Sequence, residues 1–147
     1  MADKKKTKKE EEFSEETIKH LEFIQGGINR FASNSFQMKG WMLTIVSALL
    51  GFYANSNNTR FALVAVVPVV IFWVLDSYYL QLERQFRGIY NDVTGLSKDV
   101  KPVRPFEMPI QNYTEGKYSF LDVFLSKWMM LLYFPVILLL LGIYFFS

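Results

Sequence analysis

Three windows of this chain, residues 41–54, 61–75 and 128–146, contain no charged side chain, although 20% of all residues are Asp, Glu, Lys or Arg. A chain of 147 residues cannot enclose so much continuous apolar sequence in a soluble core. The windows therefore predict an all-α integral membrane protein with three transmembrane helices. A helix needs about 20 residues to cross about 30 Å of hydrocarbon, so the first two windows must be extended. Carrying the first back to Phe36 and the second on to Leu82 gives adequate spans, at the cost of admitting Lys39 and Asp76 near the bilayer boundary.

The charges that surround the windows suggest a topology. Between the first two spans lies the short turn NSNNTR, residues 55–60, whose only basic residue is Arg60. Such a turn makes antiparallel neighbours of the spans it joins. The other Lys and Arg residues lie in 1–39 and 83–127. The positive-inside rule then places both segments in the cytoplasm, and the turn and the C-terminus on the outer side. The opening MADKKKTKKEEEF has no apolar stretch and small-residue cleavage site after it, so it reads as a charged tail, not a signal peptide.

Five segments follow. Residues 1–13 form a disordered basic and acidic tail. Residues 14–35 form a cytoplasmic helix capped by Ser14, with Glu15 and Glu16 in its first turn, a Phe13–Ile18 staple, and Ile18, Leu21, Ile24, Ile28 and Phe31 as an apolar stripe that Gly26 and Gly27 weaken locally. Residues 36–82 form the transmembrane hairpin. Residues 83–118 continue the second helix inward and then, past Gly95, become a turn-rich loop in which Pro102, Pro105 and Pro109 exclude a long helix. Residues 119–147 form the last span, started by Ser119 and Asp122 and kinked at Pro135. Two of the three spans thus extend into the cytoplasm, above a Pro-rich loop.

Taken at steps of four and three, the first span gives Ser33, Gln37, Gly40, Thr44, Ser47 and Gly51, a stripe in which every member is small or polar. Two readings fit this seam. It can be a close-packing face, where small residues let helix backbones approach. It can also be a wetted wall, because polar groups are costly in hydrocarbon and copies of the helix around a symmetry axis would give that face water. Lys39 and Asp76 sit at equal depth about the turn, so the two charges are expected to approach each other as an intramembrane pair. The alternative is that Lys39 snorkels to headgroups.

Catalytic and metal chemistry find little support. His20 is the only His and there is no Cys, so no metal site is expected and His20 reads as packed or solvated. No triad, Walker or dinucleotide pattern is present, and neither enzyme activity nor a cofactor is expected. Arg84, Arg87, Lys98, Lys101 and Arg104 beside Phe106 and Tyr113 could grip a single-stranded nucleic acid by charge and stacking, although an ordinary juxtamembrane loop has the same mixture.

The stretches LEFIQGGINRFASNSFQMKGWMLTIVSALL and FWVLDSYYLQLERQFRGIYNDV resemble a widespread group of small bacterial inner-membrane proteins. In size and layout the chain is similar to the membrane effectors of Hailong anti-phage systems. That resemblance implies a homo-oligomeric ion channel, a tetramer being favoured, with a cytoplasmic crown built from residues 1–30 and 83–118. It further implies a gating ligand, a single-stranded DNA oligomer made by a partner nucleotidyltransferase. The competing expectation is a non-conducting membrane scaffold or small subunit that recruits a soluble partner.

Overall fold

The computed structural model describes residues 13–147, and among them it is all-helical. The charged tail expected over 1–13 lies, apart from Phe13, outside these residues. Four helices follow one another: α1 (Glu15–Ser56), α2 (Arg60–Val93), α3 (Phe120–Phe124) and α4 (Lys127–Phe146).

Helix α1 begins where Ser14 accepts a hydrogen bond from the Thr17 amide at 3.2 Å, with Glu15 and Glu16 at the positive end of its dipole. It then runs unbroken for 42 residues, roughly 63 Å at 1.5 Å per residue. Asn57 ends it in the left-handed conformation at φ 50°, and the Asn58 side chain accepts from the Arg60 amide at 3.1 Å to start α2. Helix α2 continues for 34 residues, about 51 Å, and carries Pro68 within it. The two form an antiparallel hairpin longer than any bilayer core is thick.

Two separate cores divide this hairpin along its length. Near the turn, Met42 and Val46 of α1 pack with Ala62, Ala65, Val69 and Trp73 of α2 and with Met129, Tyr133 and Leu140 of α4. At the far end, Ile24 and Ile28 of α1 meet Ile89 of α2 and Tyr113 of the loop. The helices approach closely there because glycine permits it. A Cβ at Gly27 would come within 2.6 Å of the Phe86 ring, and one at Gly88 within 2.6 Å of Tyr113.

The loop after Gly95 is a strap laid back along α2, with single 3-10 turns at Ile110–Asn112 and Gly116–Tyr118. Its carbonyls would be orphaned without side-chain donors. Gln81 donates to the Tyr118 carbonyl at 2.9 Å, Arg84 to Lys117 at 3.1 Å and Gln85 to Tyr113 at 2.8 Å. From α1, His20 donates through Nε2 to the Glu107 carbonyl at 3.1 Å. The lone histidine is therefore a packed residue, 2% exposed.

The last span departs from expectation at its start. Ser119 and Asp122 open only the short α3, and the helix breaks at Leu125 and Ser126 before α4 begins. The break frees the Phe124 carbonyl, which accepts the Trp73 indole N–H at 3.1 Å, while the Phe124 and Trp73 rings stack at 4.3 Å. The interruption thus serves a polar contact to α2, and Pro135 lies inside a continuous α4.

Two helices, α2 and α4, are long and apolar enough to cross a membrane. Neither resembles the core helix of a soluble protein, since only 33% and 17% of their most apolar stretches are buried. Val64, Val67, Ile71, Leu131, Leu138 and Leu139 all point away from the bundle. So large an exposed apolar surface suits acyl chains rather than water.

Candidate functional site: a buried charge cluster and an outward polar stripe

Where the three long helices converge, Asp76 is wholly buried. Its environment would reject a carboxylate unless both oxygens were satisfied. They are. Oδ1 accepts from Lys39 Nζ at 2.8 Å and from the Ser35 hydroxyl; Oδ2 accepts from the Tyr133 hydroxyl at 2.8 Å and lies 2.7 Å from Lys39 Nζ. Lys39 also donates to Ser35 Oγ at 2.9 Å, and its side chain is 32% exposed.

The cluster is a product of helix geometry. Ser35 and Lys39 are one turn apart on α1, so both face the α2 position that Asp76 occupies. Tyr133 comes from α4 and is held flat against Trp73, ring centroids 5.6 Å apart and nearly parallel. A hydrogen bond from Trp73, its stack on Tyr133 and the hydrogen bond from Tyr133 to Asp76 therefore connect the α3–α4 break to the α1–α2 ion pair. All three long helices are joined through one carboxylate. Asp76 brings a hydrogen-bonded anion, Lys39 a cation that reaches the surface, and Tyr133 an uncharged donor.

The expected seam lies elsewhere on α1. Ser33, Gln37, Gly40, Thr44, Ser47 and Gly51 are all exposed and face away from α2 and α4. Thr44 returns its hydroxyl to the Gly40 carbonyl at 2.9 Å, and Gln37 donates to Ser33 at 3.4 Å. Gly40 and Gly51 are open, with no atom within 4 Å of an added Cβ. The seam is thus not used to pack the helices of one chain, which removes the intramolecular form of the close-packing explanation.

The residues expected to bind a ligand at the cytoplasmic face are not gathered into one site. Arg84 and Arg87 line a small cleft with Lys117 and Tyr118, but Arg84 is tied to the Lys117 carbonyl and Arg87 to Glu83 at 2.8 Å. Lys101 donates to the Asn112 carbonyl at 2.6 Å and sits 4.9 Å over the Tyr113 ring. Lys98 and Arg104 are exposed, and Phe106 lies against α1, 6.0 Å from His20. Tyr113 corrects the expectation most clearly. It is 4% exposed and donates its hydroxyl to Asp92, so it has no free face for a base. Burial first, and then the Asp92 carboxylate, raises its pKa well above the ordinary phenol value.

Sequence reasoning missed Ser35, Trp73 and Tyr133. A signal existed for Tyr133, since a tyrosine inside an apolar helix needs a partner for its hydroxyl. Among the described residues no His, Cys, Asp or Glu cluster suitable for a metal is present. No known protein family, curated protein or solved structure matches the chain. Fold and surface thus define an all-helical protein with two helices fit to span a membrane.

Proposed function

We propose that the chain is a subunit of a homo-oligomeric ion channel in the bacterial inner membrane, a tetramer being favoured, with the polar stripe of α1 turned toward the shared axis. The observation that carries this reading is the outward exposure of Ser33, Gln37, Gly40, Thr44, Ser47 and Gly51. Met42 and Val46 of α1 share a core with Ala62, Ala65 and Val69 of α2. If that part of α2 lies in hydrocarbon, the stripe lies at the same depth, and α1 supplies a third span. Facing lipid, its Gln and Ser side chains would be costly; facing copies of itself around water, they are not.

The Asp76 cluster supports the same reading. It fixes the rotation of α1 relative to α2 and α4, and therefore which face of α1 is left outward. The basic residues at the ends of α1 and α2 favour a cytoplasmic placement of the strap. From there a ligand could control the pathway by tilting helices that are continuous from strap to membrane. A role in anti-phage defence, with a DNA oligomer as the controlling ligand, rests on the resemblance of the chain in size and layout to Hailong effectors.

The test is potassium flux from liposomes that carry the purified full chain, with and without short single-stranded DNA oligomers. Flux is expected in one of the two states, and Ser47→Leu should reduce it at least tenfold. Absence of flux in both states would favour the non-conducting scaffold instead.

A further inference from the structure

A cavity of about 580 Å³ opens between α1, α2 and the strap, at the end remote from the α1–α2 turn. It is separate from the Asp76 cluster and from the polar stripe. We infer that it is a binding site for a small planar aromatic anion, the ring seated among Phe23, Phe86 and Phe106 and the anionic group on Arg30.

Three observations carry this. Gly26 forms part of the cavity wall, in the interior of a long helix where glycine is unfavourable relative to alanine. Gly27 beside it is required by the approach of Phe86, but a Cβ at Gly26 would meet nothing within 4 Å. Packing does not explain the residue, whereas any side chain there would project into the cavity.

The second observation is the backbone at Phe106. Arg104 accepts from the Glu107 amide at 3.1 Å, closing a turn with Pro105 and then Phe106 at its centre. Phe106 has φ 62°, the left-handed region that this turn position ordinarily reserves for glycine. The strained residue is 51% exposed, with its ring 6.0 Å from Phe23 at the cavity edge. His20 pins the turn from below through the Glu107 carbonyl. A bulky side chain is thus held in a disfavoured conformation where it walls the cavity instead of filling a core.

The third is charge. Glu22, Gly26 and Arg30 lie in one row at successive turns of α1, which separates the two charged residues by about 12 Å along the helix. Among the described residues neither has an ion-pair partner. Arg30 lies over the Phe31 ring at 5.3 Å, and Phe31 meets the edge of Phe86 at 5.1 Å. The guanidinium is therefore held beside the aromatic wall, while Glu22 stands at the other end of the row. An anion favours the Arg30 end. Pockets of this volume that join aromatic walls to one fixed polar group suit small organic ligands.

This site requires neither a second copy of the chain nor a pore, so its test is independent of ion flux. The full chain in lipid nanodiscs would be dialysed to equilibrium against naphthalene-2-sulfonate up to the millimolar range, with empty nanodiscs as the blank. One saturable site per chain is expected. Gly26→Leu should weaken binding at least tenfold without lowering the thermal midpoint. Arg30→Gln should weaken it at least fivefold, and Glu22→Gln should not weaken it. No saturable binding, equal binding by the Gly26→Leu chain, or tighter binding of a naphthylmethyl ammonium probe would each overturn the assignment.

Discussion

Two buried aspartates on α2 hold the two ends of this molecule in different ways. Asp76, where α4 joins the hairpin, is met by a cation, a serine and a tyrosine from two other helices. Asp92, at the strap end, accepts the hydroxyl of Tyr113, and among the described residues no Lys or Arg pairs with it. In the first case a charge is balanced in an apolar setting; in the second a buried carboxylate is used to anchor a loop. The difference teaches where rigidity is built. The apolar end is fixed by an ion pair that sets helix rotation, and the strap end by separate hydrogen bonds, to backbone carbonyls and to Asp92, that can release one at a time.

Lys39→Met should have the largest effect, because it leaves Asp76 buried with only hydroxyl donors. Breaking a buried pair costs about 3–5 kcal/mol, and the partial exposure of Lys39 places the expectation near the lower end. Circular dichroism melts of the full chain in lipid nanodiscs would measure this. The double change Lys39→Met with Asp76→Leu should recover more than half of the loss, since no unpaired charge remains. If the single and double variants melt together, the ion pair does not hold this end.

Tyr113→Phe should come next, at about 1–3 kcal/mol, because Asp92 loses its hydroxyl donor. The loss should be local, read as faster amide exchange in residues 101–118 with α4 unchanged. A gap of equal size in both regions would erase the distinction between the two ends. The same contact predicts a pH response. The Tyr113 phenol holds its proton more tightly folded than unfolded, where its value is near 10. Its contribution is therefore complete below about pH 10 and declines above that as the unfolded chain loses the proton first. Amide exchange in the strap should accelerate above about pH 10 in the native chain and show a smaller rise in Tyr113→Phe.

The smallest effect should come from Ser126→Ala. The Ser126 hydroxyl is buried at the α3–α4 break without a partner among the described residues, so its removal should be neutral or stabilising by up to about 1 kcal/mol. A loss above that range, in the same melts, would show that the hydroxyl has a partner in the membrane.

Much of the framework was legible before any coordinates. Charge-free windows pointed to α2 and α4, Ser14 and its acidic neighbours marked the start of α1, and the asparagine-rich turn set the hairpin register that brings Lys39 opposite Asp76. These are local or periodic signals. The parts that were illegible depend on contacts between distant segments. Tyr133 stands in an otherwise apolar helix and its partner is fixed only by three-helix packing. The break at Leu125 and Ser126 carries no proline or glycine and is compensated by Trp73 on another helix. Tyr113 lies in a polar loop that reads as exposed, and only the Gln85 tether and the Gly88 gap show why it is buried.

The chain has no cysteine, which makes one measurement direct. Single Ser47→Cys and Val67→Cys chains, oxidised in native membranes with copper phenanthroline, report which face of the hairpin meets another copy. Efficient covalent dimers through Ser47→Cys and few through Val67→Cys are the expected result. Dimers formed through Val67→Cys alone, or none with either, would contradict a shared axis lined by α1.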